Sequence, residues 1–256
     1  MSNSKTFRLF ISSTFNDFRK EREVLQTKVF PHAKEYCSQR GYTFQPIDLR
    51  WGVSNEAQLD QKTLELCLSE VRACKSHVYP NFLIMIGNRY GWIPLPYAIE
   101  VNEFKKLEDI IEKDDGTLTI EYKKYKVYDD TNDETKFHYK QKEARAVAKL
   151  ELLKQWYSLD ENQLPSASYI LNERNKDYAI YENWEAEENI LRTILQSAVK
   201  TSNLNEEQKR KYFLSATEAE VEEGVIPYIK PTKYQTEQLL SKDTSLLHVD
   251  PEHIFG

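Results

Sequence analysis

Asn81-Phe82-Leu83-Ile84-Met85-Ile86-Gly87 is an unbroken apolar run closed by glycine, and how it is read decides the fold. A short run without polar alternation suits a strand covered on both faces, as strands of a parallel sheet are. Upstream, Phe7-Arg8-Leu9-Phe10-Ile11-Ser12 alternates weakly and is rich in β-formers, which marks a first strand. It enters Ser12-Ser13-Thr14-Phe15-Asn16, a cluster of capping residues, and a helix follows to about Gln39. Phe18, Leu25, Val29, Ala33 and Tyr36 recur there at helical spacing; Pro31 is expected to kink or interrupt the helix and Gly41 to end it. Tyr42 to Leu49 reads as a second strand. Asp60 to Lys75 reads as a second helix with Leu64, Cys67, Leu68, Val71 and Cys74 on one face. Strand, helix, strand, helix, strand predicts a doubly wound α/β fold with a parallel sheet flanked by helices.

Past Pro96 the texture changes. Residues 100–140 are rich in tyrosine, lysine and acids, with Asp129-Asp130-Thr131-Asn132-Asp133 as a turn. Lys140 to Tyr157, Tyr181 to Lys200 and Asn205 to Glu223 read as helices. The expected organisation is an α/β core over residues 1–98 and a mostly helical C-terminal elaboration of the same domain over 99–256. His253-Ile254-Phe255-Gly256 reads as the opening of a strand, so the chain is expected to continue.

With 256 residues, 40% hydrophobic and 30% charged, the chain can bury a full core beneath a well-solvated surface. The net charge of −6 gives no broad basic footprint, so nucleic acid is not an expected partner, although local basic patches are compatible with that balance. No apolar run approaches the roughly 20 residues of a membrane span, and Met1 to Thr6 lack the apolar centre of a signal peptide. Three cysteines with no CxxC suit reduced thiols in a cytoplasmic protein, with no metal site expected. Cys67 and Cys74 lie two helical turns apart, about 10 Å, too far for a disulfide. With seven glycines, no GxGxxG and no GxxxxGK[ST], a nucleotide would have to be held by some device other than a glycine-rich loop.

In open parallel sheets, ligands sit beyond the carboxyl ends of the strands. Three segments fall at such ends: Ser12-Ser13-Thr14-Phe15, Asp48-Leu49-Arg50-Trp51-Gly52 and Gly87-Asn88-Arg89-Tyr90-Gly91-Trp92. Each has a plain structural reading beside the functional one. The first is a binding loop or a helix cap. Asp48 and Arg50 serve a ligand or pair with each other. Trp51 and Trp92 are stacking groups or packing plugs. Glu70 lies three residues after Cys67 and four before Cys74, at the flank of the apolar face. It either points into the crevice or contacts Arg72 or Lys75 in solvent.

Phe10-Ile11-Ser12-Ser13-Thr14-Phe15 with Asp17 and Glu21-Arg22, then Asp48-Leu49-Arg50-Trp51-Gly52, Glu65-Leu66-Cys67-Leu68-Ser69-Glu70, Pro80-Asn81-Phe82 and Gly87-Asn88-Arg89-Tyr90-Gly91-Trp92 carry a family resemblance. They resemble the N-terminal domain of unknown function of NACHT–WD-repeat proteins, a family that includes telomerase-associated and bacterial NLR-like chains. The likeness continues through Trp156-Tyr157-Ser158-Leu159-Asp160-Glu161-Asn162 and Ser215-Ala216-Thr217-Glu218-Ala219-Glu220-Val221-Glu222. It implies an effector or signalling domain of a STAND NTPase in immunity or antiviral defence, self-associating through an adjoining NTPase module. That family in turn looks like a distant relative of TIR domains, which implies a TIR/flavodoxin-like sheet. It departs from them in the loop after the first strand and in the insertion after Pro96.

Two readings follow from the resemblance. In NAD-cleaving TIR domains a helix glutamate is catalytic, and Glu70 is the matching position. It would stabilise an oxocarbenium-like transition state while Trp51 or Tyr90 stacks on a ring, Ser12 and Ser13 bind phosphate oxygens, and Arg50, beside Asp48, pairs with the pyrophosphate. NAD is then a substrate and no resident cofactor is implied. The alternative is a non-catalytic module for homotypic protein interaction. The two part on whether Glu70, Ser12 and Arg50 converge on one cavity.

Overall fold

The computed structural model describes residues 5–14, 17–49, 61–114, 116–128 and 136–229. Arg50, Trp51, the expected turn at Asp129–Asp133 and the terminal His253–Gly256 segment lie outside them. The chain divides into two compact units. One comprises residues 1–52, 65–92 and 215–256, the other 53–64 and 93–214.

The first unit is built on β1 (Thr6–Ser12), α1 (Arg19–Val24), a π-helical turn (Leu25–Val29), α2 (Phe30–Ser38), β2 (Thr43–Ile47), α3 (Thr63–Lys75) and β3 (Phe82–Ile84). The strands form a parallel sheet in the order β2-β1-β3, with Phe10 opposite Ile47 on one side and Phe82 on the other. The mixed α/β class with a parallel sheet flanked by helices is therefore the one read from the alternating pattern. Pro31 interrupts the long helix as expected, in a particular way. It sits in the first turn of α2, and the turn before it widens to π geometry, which relieves the clash a proline ring makes with the preceding turn. Gly41 takes φ +73° just after α2, a left-handed conformation that turns the chain into β2 at little cost for glycine.

Side chains alternate across β1, so each helix layer receives its own set. Phe10 packs with Val71 and Cys74 of α3 and stacks on Phe82 at 5.7 Å between ring centres. On α2, Phe30 meets Phe44 of β2 at 5.9 Å. Both Phe10 and Phe30 are buried.

The second unit carries more strand than its sequence suggests. It contains β4 (Ala98–Glu100), α4 (Val101–Lys113), β5 (Thr117–Ile120), β6 (Tyr125–Tyr128), β7 (Phe137–Lys140), β8 (Arg145–Ala148), α5 (Lys149–Trp156), β9 (Tyr157–Asp160), β10 (Ser168–Leu171), α6 (Tyr181–Thr201) and α7 (Glu206–Arg210). β4, β10 and β9 make an antiparallel sheet, while β5 with β8 and β6 with β7 make two ribbons. The helix expected from Lys140 starts only at Lys149, because Arg145–Ala148 is drawn into pairing with Thr117–Ile120. Phe104, Leu107, Leu152, Leu153, Trp156, Trp184, Leu191 and Leu195 form the core. Inside it, the buried Glu187 carboxylate accepts from Tyr122, Arg145 (2.9 Å), Trp156 Nε1 (3.1 Å) and Tyr178 (3.1 Å). Burial alone would raise its pKa, but those hydrogen bonds, led by Arg145, hold it below the usual carboxylate value.

The helix expected over Asn205–Glu223 is two. α7 is opened by a capping box between Asn205 and Gln208, and Ser215 caps a separate helix, α8 (Ala216–Gly224). α8 belongs to the parallel-sheet unit and packs against β1. Among the described residues no helix is long and apolar enough to cross a membrane.

Gly224 is where α8 meets the sheet most closely: a Cβ there would lie 2.5 Å from two ring carbons of Phe82. Since Phe82 is itself stacked on the buried Phe10, the ring cannot yield without moving the core. Gly224→Ala is expected to cost about 1–3 kcal/mol by overpacking, read as a lower urea midpoint at unchanged slope; an unchanged midpoint would place α8 further from the sheet.

Candidate functional site

The carboxyl end of β1 carries adjacent serines, and strand alternation sends them opposite ways. Ser12 shares its side of the sheet with Arg8 and Phe10. Its hydroxyl donates to Glu220 Oε2 on α8 at 2.5 Å, and both residues are buried. Glu220 also receives the Cys67 thiol of α3. Ser13 turns toward α1, where Arg22 donates to its Oγ from Nε (3.1 Å) and Nη2 (2.7 Å). The same guanidinium forms an ion pair with Asp48, immediately after β2, with both side chains almost wholly buried.

Glu70 has a different partner. Its carboxylate is held in an ion pair by Arg8, midway along β1 and four residues before Ser12. Four residues of strand span roughly 13 Å. Cys67, one turn earlier on α3, is level with Glu220 and Ser12, while Glu70 sits one turn down the sheet. The structure thus brings Ser12 to Glu220 and Cys67, Ser13 and Asp48 to Arg22, and Glu70 to Arg8.

The segment after β3 forms the rim. Tyr90 donates its hydroxyl to Glu218 of α8, and Arg89 pairs with Asp17 at 3.3 Å. Asp17 in turn accepts from Thr14 Oγ1 at 2.7 Å. Gly91 has φ +99°, and a Cβ there would stand 3.2 Å from Thr14 Cγ2 and 3.3 Å from Thr217 Oγ1. Only glycine fits both the backbone and the space. Ala216 N–H bonds the Trp92 carbonyl at 2.9 Å, tying the rim to the start of α8.

This arrangement has definite chemical limits. Burial raises the Glu220 pKa, opposed by the Ser12 hydroxyl, the Cys67 thiol and the Arg22 charge. Burial, then the Glu220 charge, pushes the Cys67 thiol far up, so it stays protonated and a poor nucleophile. Burial also raises Cys74, to about 11. Arg22 and Asp48 neutralise each other. Among the described residues no group of three or more His, Cys, Asp or Glu could hold a metal ion.

Glu220 and Arg22 were not among the residues singled out for a site, yet each left a signal. Arg22 stands four residues after Phe18 and three before Leu25, on the apolar stripe of its helix. Glu220 shares a stripe with Ala216, Ala219 and Gly224, where small residues mark a close approach. A charge on a buried stripe requires a partner.

A carboxyl whose folded pKa exceeds its unfolded value binds its proton more tightly in the native state. Its contribution to stability is therefore greatest in acid and declines as pH rises from the ordinary 4.5 through the folded value. Glu220→Gln, which keeps an acceptor for Ser12, is expected to be more stable than the wild type at pH 7, with the gain vanishing below about pH 4.5. Urea titrations across pH would test this; an equal deficit at every pH would contradict it.

The profile of the domain of unknown function DUF4062 matches residues 8–170. The mouse (Mus musculus) NACHT domain- and WD repeat-containing protein 1 is 40% identical over 88 residues, 34% of this chain and 6% of that protein. NACHT and WD repeat domain-containing protein 2 of the same species is 28% identical over 242 residues, 84% of this chain and 12% of that protein. Mouse telomerase protein component 1 is 37% identical over 95 residues, 37% of this chain and 3% of that protein. The chain thus spans a small fraction of each relative. No solved structure matches it. Matched over well more than half its length, the chain belongs to the DUF4062 family, a domain of unknown function.

Proposed function

We propose that this domain is the N-terminal assembly module of a NACHT-type NTPase, and that it signals by contact between copies of itself rather than by cleaving NAD. The observation that carries this reading is the pairing of Glu70 with Arg8, while Ser12 is bonded to Glu220. A glutamate that stabilises positive charge at a ribose must face the strand-end crevice. Here its carboxylate is neutralised by a guanidinium midway down the sheet.

The surface supports contact. Ile86 is 80% exposed and Tyr90 56%, both on the segment that follows β3. Apolar groups held on a segment anchored by Gly91 and Asp17 are pre-ordered, so docking them costs little conformational entropy. Self-association driven by such a patch is weak for an isolated domain. It becomes effective when an oligomerising neighbour raises the local concentration. The kinship with NACHT-containing proteins supports such a neighbour.

Two measurements test this. Nicotinamide release from NAD by concentrated protein is expected to stay at the buffer level in the wild type and in Glu70→Gln; turnover by the wild type would overturn the proposal. Ile86→Asp is expected to weaken concentration-dependent self-association in sedimentation at least about tenfold, the scale of one lost interface anchor, with the thermal midpoint unchanged. Association unaffected by Ile86→Asp would put the contact elsewhere.

A further inference from the structure

The ribbon of β6 and β7 lies in the second unit, and its composition runs against that of the chain. Residues 122–128 and 136–142 hold six lysines and five aromatics with no aspartate or glutamate, in a protein of net charge −6. The acids of this hairpin, Asp129, Asp130, Asp133 and Glu134, fall in the sequence that joins the strands.

Register sorts these residues onto two faces. Tyr128 is opposite Phe137 and Lys126 is opposite Tyr139. Directly opposed residues share a face, as do residues two apart, so Lys126, Tyr128, Phe137 and Tyr139 stand together. That face is open: Tyr128 and Tyr139 are each 59% exposed and Phe137 39%. The rings are ordered against one another, Tyr128 to Phe137 at 6.2 Å and Phe137 to Tyr139 at 5.6 Å between centres, with Lys126 Nζ 4.4 Å from the Phe137 centroid. An open recess of about 620 Å³ runs along β6, lined by Lys124, Tyr125, Tyr139, Ile180 and Glu182 among others. That volume falls in the range of clefts that take small ligands, ~300–1,000 Å³.

Three exposed rings, with the Lys126 ammonium over one of them, form a stacking platform. Every nucleobase offers a π-face, and a backbone of phosphates is attracted by lysines at the spacing of a strand. A duplex hides those faces, so the platform favours unpaired bases. Some of the lysines are engaged within the protein: Lys123 pairs with Glu185 at 2.7 Å, and Lys142 lies 3.8 Å from the Tyr178 ring centre. Lys126, on the face of the rings, and Lys124, just before β6, are exposed to meet phosphate, whereas Lys140, opposite Tyr125, stands on the other face. We infer that the β6–β7 ribbon binds single-stranded nucleic acid, by stacking bases on Tyr128, Phe137 and Tyr139 and pairing its phosphates with the neighbouring lysines. RNA and DNA share this chemistry.

Fluorescence anisotropy with a labelled twelve-nucleotide poly(U) and the matching oligo(dT) tests it, using the intact chain at low salt. Both strands are expected to bind more tightly than a duplex of equal length. Tyr128→Ala, Phe137→Ala and Tyr139→Ala should each weaken binding about five- to a hundredfold, the range for one lost stacking contact. Lys126→Gln should lower the steepness of the salt dependence by about 0.7, the share of one phosphate contact on a single strand. Far-UV spectra and melting midpoints of the four variants should match the wild type, because the changed side chains are exposed. The inference is overturned if neither strand binds, if a duplex binds as well as a single strand, or if the three alanine variants bind like the wild type. Binding to phosphatidylserine vesicles in place of the oligonucleotides would overturn it as well, and would assign the ribbon to a membrane surface.

Discussion

Alternation along β1 is the constraint from which the candidate site follows. Arg8, Phe10 and Ser12 face one helix layer, and Ser13 faces the other. Each polar residue must then find its partner within its own layer, because a buried hydroxyl or charge left alone costs several kcal/mol. α3 and α8 supply Glu70, Cys67 and Glu220 to the first layer. α1 supplies Arg22 to the second, where it also neutralises Asp48. The polar groups at the strand ends thus hold the layers of the unit in register.

That division of labour bears on function. A hydrolase of the expected kind needs its carboxylate beside the strand ends, free to meet developing charge. Here the carboxylate at the strand end, Glu220, holds its proton more tightly than usual, and Glu70 is spent on Arg8. The outward-facing features are of another kind: Ile86 and Tyr90 on an anchored segment in one unit, and an aromatic, lysine-bearing ribbon in the other. Both suit recognition of other molecules. The fold anchors these surfaces more firmly than it prepares a reaction.

Much of the architecture was legible because hydrophobic periodicity reports burial directly. The run at Phe82–Ile84 and the spacing of Cys67, Val71 and Cys74 led to the parallel sheet and its helix, and Pro31 interrupted its helix as its missing donor requires. The strands between residues 98 and 171 were less legible. Arg145-Ala146-Val147-Ala148 has good helix-formers, and only its pairing with Thr117–Ile120, distant in sequence, makes it a strand. The place of Glu220 was hidden for a similar reason. Its partner Ser12 is 208 residues away, and no local pattern links two residues at that separation. A net charge of −6 likewise averaged away the basic ribbon, whose two strands carry no aspartate or glutamate.

The account turns on Ser12 answering to Glu220 and not to Glu70. A double-mutant cycle measures this directly, comparing the stability of Ser12→Ala, Glu220→Ala and their combination with the same cycle run on Ser12 and Glu70→Ala. Residues in contact couple by about 0.5–3 kcal/mol, whereas independent ones add to within about 0.5 kcal/mol. Coupling is predicted for Ser12 with Glu220 and additivity for Ser12 with Glu70. The reverse result, with Ser12 coupled to Glu70 and indifferent to Glu220, would contradict the account and return Glu70 to the strand-end crevice.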